Sequence, residues 1–184
     1  VSFLAVAWVV LLMAGCGGED DSKDNDAKSG EINLDDPEPL ERILAEAIDE
    51  DKLQKRGKEG EKLFYAPNKQ TPYTGWVKAM RDNGQIHRLY QYKDGKGNGP
   101  WMSRFSNGQK SKAGLMKDGK RNGLWIDWHS NGQKEFERTF RDGELIGTST
   151  AWYSHGQVRS SYLYKNYKTM TVLVWKPNGE KCLI

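Results

Sequence analysis

The sequence predicts a mainly β protein: an antiparallel β-hairpin repeat meander in a single twisted sheet, preceded by one amphipathic helix. Three observations lead to this fold class. Turn-forming dipeptides recur at a fixed step, aromatic-rich segments of strand length lie between them, and an apolar stripe at helical spacing precedes the first repeat. Hydrophobic residues make up only 36% of the 184-residue chain, which favours a thin sheet held by aromatic contacts over a thick aliphatic core.

Turn-forming dipeptides and glycines mark a repeat of 24 residues. An Asn-Gly set, an Asp-Gly set and a single-glycine set each recur at this step, with one step of 23 in the first set. The first set comprises Asn83-Gly84, Asn107-Gly108, Asn131-Gly132, His155-Gly156 and Asn178-Gly179; the second comprises Asp94-Gly95, Asp118-Gly119, Asp142-Gly143 and, in the next position, Asn166-Tyr167; the third comprises Gly75, Gly99, Gly123 and Gly147. Three sets on one period predict a repeat domain of about four and a half units, which we place at residues 72–184.

Each unit is predicted to form two strands and two tight turns. Asn-Gly and Asp-Gly readily adopt positive φ at both central positions, so we expect two-residue hairpin turns at both dipeptides. Successive hairpins then place equivalent side chains in columns across the sheet. The expected columns are Tyr92, Met116, Phe140 and Tyr164 in one and, beginning a second, Trp101 and Trp125. Because glycine has no Cβ, an aromatic ring can lie over the backbone at the glycines of the third set.

The segment 122–147, NGLWIDWHSNGQKEFERTFRDGELIG, resembles the MORN repeat in the variant form common in bacteria. Units of that family read roughly G-x-W-x-x-[WYF]-x-x-N-G, followed by a strand that ends in D-G-K-x-x-G. Other units depart from this pattern: Arg104 and Gly114 replace bulky residues, and Ser149 replaces a tryptophan. The resemblance implies binding or scaffolding without catalysis, because eukaryotic relatives are linked to membrane tethering, phosphoinositide lipids and protein scaffolding. Bacterial variants are often labelled antitoxin-like.

Residues 1–15 resemble a bacterial lipoprotein signal peptide. The run FLAVAWVVLLMAGC is uncharged and apolar, is too short to span a bilayer as a helix, and ends in small residues before Cys16. The resemblance implies that Cys16 receives the lipid, palmitate included, and begins the mature protein. The resemblance also implies that the protein is exported and lipid-anchored to the cell envelope. In similar lipoproteins an Asp directly after the cysteine retains the protein at the inner membrane. No Asp follows Cys16, so the outer membrane is expected where one exists. A plain secretory signal and a short anchor are the alternatives.

An acidic segment and a predicted helix separate this signal from the repeats. Residues 16–36 have almost nothing to bury and are predicted to be a disordered tether. Residues 37–58 are predicted to form the amphipathic helix, and residues 59–71 a linker. The apolar stripe of this helix comprises Leu40, Ile43, Leu44, Ala47 and Ile48. The stripe either caps the repeat domain, because open repeat arrays need protected ends, or binds a partner.

Aromatic side chains are the predicted anchors for a protein partner, since aromatics dominate interface energetics. The candidates are Trp76, Trp101, Trp125, Trp128, Trp152 and Tyr153. Any one of them can instead hold the sheet together through ring contacts between repeats. The sequence does not identify the partner.

An uneven charge distribution suggests an alternative function. Residues 16–51 carry 14 acids and three bases, whereas residues 52–184 carry 25 bases and 11 acids, a net +14. Such a body could bind anionic membrane lipid or a cell-wall polymer, and it could also meet its own acidic leader. The candidate residues are Lys110, Lys112, Lys117, Lys120, Arg121 and Lys134, with Lys93 and Arg141 in the same class. Binding of this kind should weaken steeply with salt, whereas aromatic anchoring should not.

No motif in the sequence predicts an enzyme, a cofactor or a metal site. The chain has three histidines, His87, His129 and His155, but every nucleophilic residue near them belongs to the repeat pattern, so no catalytic pair is predicted. A metal site is not predicted either, because Cys182 is the only thiol left once Cys16 is lipidated. The stretch DGKGNG at 94–99 consists of repeat markers and lacks the helix and Lys-Ser/Thr of a phosphate loop. An exported protein rarely meets nucleic acid, so we expect neither a nucleic-acid partner nor a small-molecule substrate.

Overall fold

The computed structural model describes residues 34–165 and 168–182. In chain order the elements within these ranges are α1 (Pro37–Glu46), β1 (Ile48–Asp49), a 3-10 turn (Glu50–Lys52), β2 (Gln54–Arg56), β3 (Leu63–Tyr65), β4 (Gly75–Met80), β5 (Ile86–Lys93), β6 (Lys96–Arg104), β7 (Lys110–Lys117), β8 (Lys120–Trp128), β9 (Lys134–Arg141), β10 (Glu144–Trp152), β11 (Val158–Lys165) and β12 (Lys168–Val174). The predicted signal peptide, Cys16 and residues 16–33 of the predicted tether lie outside these ranges.

The strands form one ten-stranded sheet and a separate two-stranded hairpin of β2 and β3. In the large sheet, β4 to β12 follow one another in chain order, and each is antiparallel to its neighbours. The short β1 pairs parallel to β4 at one edge. This order confirms the predicted meander of hairpins in a single sheet, preceded by one helix.

The Asp-Gly dipeptides form the predicted two-residue turns. Asp118 and Gly119 have φ angles of 49° and 81°, and the flanking Lys117 and Lys120 pair across the hairpin. Positive φ at both central residues gives a turn whose twist matches that of the strands. The same signs occur at Asp94-Gly95 and Asp142-Gly143.

The Asn-Gly turns differ from the prediction, because only their glycines have positive φ. At the first of them, the N–H of Gly84 donates to the Arg81 carbonyl (2.9 Å) and the N–H of Arg81 donates to the Gln85 carbonyl (2.8 Å). This pattern is typical of a three-residue loop that ends in a glycine bulge. The Asn83 side chain accepts the N–H of Gln85 (3.1 Å), so this asparagine closes the turn with its side chain while keeping a negative φ.

Side chains in these turns also join successive repeats. The bonds run from Asn107 Nδ2 to Ser130 O (2.8 Å), from Asn131 Nδ2 to Ser154 O (2.6 Å) and from His155 Nε2 to Pro177 O (3.2 Å). Each donor therefore reaches a carbonyl in the next turn along the sheet. His155 occupies an asparagine position of the repeat and keeps the same bond.

The third glycine set marks bulges, and an aromatic ring lies against one of its four glycines. Gly123 has a φ of 71°, and the nearest side-chain atom to a Cβ built there would be on Leu115, 3.9 Å away. Residues 123–125 lie opposite the single residue Gly114 in the pairing of β7 with β8. Such a bulge requires a residue at positive φ, which glycine supplies at low cost. Within the set, only Gly75 has an aromatic side chain, that of Tyr73, against it.

Helix α1 is shorter than predicted: it ends at Glu46, whereas the prediction extended it to residue 58. After Ala47 the chain is extended and β1 pairs with β4. An unpaired sheet edge offers a row of free backbone groups, and here that pairing replaces further helix. The spacing of apolar residues along the chain cannot show that residues 48–49 pair with a distant strand instead of continuing the helix.

The predicted linker 59–71 contains β3, which pairs with β2. The Arg56 guanidinium packs on the Tyr65 ring at 4.8 Å, and the N–H of Phe64 donates to the Gly95 carbonyl (3.0 Å). The second contact attaches the small hairpin to the first Asp-Gly turn of the large sheet.

Helix α1 covers one face of the sheet at its first strands. The buried cluster comprises Ile43, Ala47, Trp76, Leu89 and Met102. Lys78 on β4 donates from Nζ to the Leu44 carbonyl of α1 (2.7 Å), which fixes the helix further. The stripe therefore packs on the repeat domain, the first of its two predicted roles. We call this side of the sheet the helix face, and the opposite side, which carries Trp101 and Trp125, the aromatic face.

Candidate binding surfaces

A ring stack crosses the middle of the aromatic face. The rings of Trp101 and Trp125 lie 5.4 Å apart between centroids, and Phe140 meets Trp125 edge-on at 6.5 Å. Trp125 is only 2% exposed, and its Nε1–H donates to the Leu115 carbonyl (2.9 Å). The predicted column that begins with Trp101 and Trp125 is confirmed by these contacts. Trp125 is therefore a core residue of the sheet rather than an exposed anchor.

Gly114 makes room for the Trp125 ring. A Cβ built on Gly114 would lie 2.4 Å from Trp125 Cδ2 and 2.5 Å from Cε2, distances that real Cβ atoms do not show. In the repeat pattern, Gly114 stands where other units have a bulky residue. The structure shows that the indole of Trp125 can pack there because Gly114 has no side chain. A small residue paired across from a tryptophan position is the signal that could have revealed this.

The register confirms the other predicted column. Its members pair with the glycines of the third set at equivalent positions: Tyr92 with Gly75, Met116 with Gly99, Phe140 with Gly123 and Tyr164 with Gly147. Their ring contacts are made with other neighbours: Tyr92 contacts Phe64 at 5.0 Å and Tyr90 at 5.6 Å, while Tyr164 contacts its own-strand neighbour Tyr162. The Arg121 guanidinium lies over both Phe140 (5.3 Å) and Trp125 (4.6 Å).

Two further guanidinium groups pack on one ring of the aromatic face. Arg138 and Arg159 lie 4.7 and 5.4 Å from the centroid of Phe136. Cation–ring contacts of this kind stabilise by about 0.5–1 kcal/mol at exposed sites. The sequence did not reveal this cluster, because Arg159 lies on β11 in the following repeat.

Asp127 is a buried carboxylate on the same face. Its side chain is 5% exposed, and Oδ2 accepts from Lys112 Nζ (2.9 Å) and Arg138 Nη2 (2.5 Å). A buried charge needs such partners to offset desolvation. Lys112, a candidate for anionic-surface binding, is therefore engaged within the sheet.

Hairpins β8–β9 and β10–β11 have the same register one unit apart: Gly123 pairs with Phe140 in the first, and Gly147 pairs with Tyr164 in the second. Residues 121–142 and 145–166 match the family model of the MORN repeat variant. Each matched segment coincides with one of these hairpins, which supports the interpretation as a MORN-variant repeat protein. The comparisons with curated proteins and with solved structures found no match.

Among residues 34–165 and 168–182, no helix covers the helix face of strands β8 to β11. Strand alternation and register place Leu115, Leu124 and Leu163 on this face, and their exposed fractions are 46%, 49% and 44%. Trp128 and Trp152 lie on the same face and are half-buried. We call these five residues the open patch. Exposed apolar side chains that share one face of a sheet are typical of interaction sites.

The six predicted aromatic anchors are divided between the two faces. Trp128 and Trp152 lie in the open patch, whereas Trp101 lies on the opposite face in the ring stack. Trp76 is 9% exposed beneath α1. Tyr153 lies at a turn, where its hydroxyl donates to the Trp175 carbonyl (3.0 Å) and its ring stacks on His155.

Four of the eight predicted basic residues have partners within the described part of the chain. Lys110 pairs with Asp35 and lies 5.8 Å from the Trp128 ring, and Lys134 pairs with Glu137 and lies 5.7 Å from the Trp152 ring. The remaining candidates, Lys117 and Lys120, are exposed on either side of one Asp-Gly turn, and Lys93 and Arg141 flank the other two. The candidates therefore do not form one continuous basic face.

A cleft lies between the β2–β3 hairpin and the aromatic face, with a volume of about 700 Å³. Its walls include Tyr90 and Tyr92. Burial raises the pKa of Tyr92 to about 12, and burial together with the Glu50 carboxylate raises the pKa of Tyr90 further, so both phenols stay protonated at neutral pH. Sequence reasoning missed this cleft, because one wall comes from the segment predicted to be a linker.

Within residues 34–165 and 168–182, no group of three or more histidine, cysteine or acidic residues is arranged to hold a metal ion. In the same part of the chain, no helix has the length and apolar character needed to cross a membrane.

Proposed function

We propose that this chain is a non-enzymatic cell-envelope lipoprotein whose MORN-like sheet is a protein-binding scaffold. The match to MORN repeat variants supports a repeat-based binding or scaffold module. The lipid anchor at Cys16 and the envelope location rest on the signal-peptide resemblance of residues 1–15. An antitoxin-like role would also act through a protein partner.

The open patch is the observation that carries this proposal. At the first strands, the helix face is already covered by an amphipathic helix, α1, through Ile43 and Ala47. The patch continues the same face with the same apolar chemistry, beyond the strands that α1 covers. We therefore propose that the partner presents an amphipathic helix, which extends the helical layer that α1 begins.

Residue-specific photo-crosslinking tests this surface in cells that produce the full chain. A photoreactive side chain at Leu124 or at Leu163 is expected to capture one and the same protein, through residues of an amphipathic helix. Val172 is a matched control, because it is an exposed aliphatic residue (37%) that register places on the aromatic face. No adduct at Leu124, or equal capture at Val172, would contradict the proposal.

Replacing Cys16 tests the anchor separately. Cys16→Ser is expected to move the protein from the membrane fraction to a soluble fraction, because one lipidated cysteine is the only anchor proposed. Fractionation followed by immunoblotting measures the change, with Cys182→Ser as the thiol control. A Cys16→Ser protein that stays membrane-bound and unprocessed would show that the lipoprotein interpretation is wrong.

A further inference from the structure

We propose that the cleft between the β2–β3 hairpin and the aromatic face binds an acidic sugar, meaning a pyranose ring that carries a carboxylate. Its volume of about 700 Å³ falls within the range of about 300–1,000 Å³ found for small-molecule sites. This site lies on the side of the sheet opposite the open patch, so it is independent of the protein-binding function proposed above.

Aromatic rings supply the walls of the cleft. Phe64 and Tyr92 lie 5.0 Å apart between centroids with an interplanar angle of 37°, and Trp101 lines the cleft beside them. All three side chains are half-buried, so part of each ring borders the cleft. A ring with one apolar face is the surface on which the C–H groups of a pyranose can pack, and aromatic side chains offer large apolar area with little flexibility.

Glycines also line the cleft, and Gly119 presents open backbone. Gly119 is exposed, and a Cβ built on it would have no atom within 4 Å, so a ligand can approach its peptide groups. Gly97 packs against Met116, and Gly95 packs against the β2–β3 hairpin. The phenols of Tyr90 and Tyr92, which can both donate and accept hydrogen bonds, line the cleft. A ligand rich in hydroxyl groups needs donors and acceptors together, because each hydroxyl both donates and accepts.

The charges of the lining favour an anion. Five bases line the cleft against three acids: Lys55, Lys62, Lys96, Lys120 and Arg88 against Glu50, Glu59 and Asp118. Glu50 is paired with Arg88 (2.9 Å) and Glu59 with Lys62 (3.3 Å). In the described part of the chain, Lys96 and Lys120 make no ion pair, so their ammonium groups are available to a carboxylate of the ligand.

An acidic peptide is the competing ligand, and the geometry favours the sugar. A peptide commonly binds a sheet by adding a strand to its edge, and β1 already occupies the edge of β4 beside this cleft. The lining combines aromatic rings with lysines around one volume of about 700 Å³, which suits a compact ring better than an extended chain.

Calorimetric titration of the full chain in detergent tests the site, with trigalacturonic acid as the probe. Binding is expected, and Lys120→Glu is expected to weaken it about five- to tenfold, because the variant reverses a charge that faces the ligand. Lys117→Glu is the matched control: it changes the same charge on the other side of the same turn, at a residue that does not line the cleft. Its affinity should stay unchanged.

Four results would overturn the proposal: no binding of trigalacturonic acid, equal binding of the neutral trigalactose, equal weakening by Lys117→Glu, or tighter binding of a triglutamate peptide. Leu124→Lys, which alters the open patch, should leave sugar binding intact. A failure of the sugar titration would therefore leave the protein-binding proposal untouched, and the reverse also holds.

Discussion

Trp125→Ala is expected to lower the free energy of unfolding by about 3–5 kcal/mol, the range for removing a buried aromatic side chain. The indole contacts Trp101, Phe140 and the Arg121 guanidinium, and it is almost completely buried. Gly114 has no side chain that could fill the space left behind, so the cavity would persist. Chemical denaturation of the full chain, followed by circular dichroism, measures the loss.

Trp128→Ala is the matched control for this prediction. It removes the same side chain from the same strand, but Trp128 is half-buried on the open patch, where its ring contacts Lys110. We expect about 1 kcal/mol or less from this variant, because exposed contacts contribute little. Equal losses from the two variants would show that Trp125 is not the centre of the sheet's packing.

Gly114→Ala is expected to destabilise the domain by about 1–3 kcal/mol, the usual effect of overpacking a filled site. The added methyl group would meet the Trp125 ring at less than 3.0 Å, and the ring is held by its hydrogen bond to Leu115. The same denaturation experiment measures this effect. The control is Ala113→Gly, which changes the neighbouring residue by one methyl group without creating a clash. Gly108→Ala is unsuitable as a control, because Gly108 has a positive φ that alanine rarely adopts.

A double-mutant cycle separates this steric effect from intrinsic propensity. When Trp125 is already alanine, Gly114→Ala no longer meets a ring, and the two changes should couple by about 1–2 kcal/mol. Strict additivity of the two variants would contradict the packing of Trp125 on Gly114.

The repeat and its strands could be predicted from the sequence, because both depend on local chemistry. The Asp-Gly turns require positive φ at two adjacent residues, and few dipeptides supply it; Asp118 and Gly119 adopt the expected angles. Asn83 and Gly84 carry the same signal but form a longer loop. Asparagine can either adopt positive φ or bond to the backbone through its side chain, and the dipeptide alone does not decide between them.

Features set by distant parts of the chain could not be predicted. Helix α1 stops where β4 offers an edge, and that edge is far away in the sequence. The candidate sites show the same limit. Trp128 and Trp152 were predicted as anchors, but the sequence did not show that α1 leaves them uncovered. The cleft needs Phe64, which lies in a segment predicted to be a linker.

The bonds between successive Asn-Gly turns have an evolutionary consequence. Asn107 and Asn131 each bond to a carbonyl in the turn that follows, and no bond of this type skips a unit within the described residues. A gene duplication or deletion of 24 codons would therefore remake the same junctions on both sides. Homologues of different length, with the sheet widened or narrowed by whole hairpins, are the expected products of this arrangement.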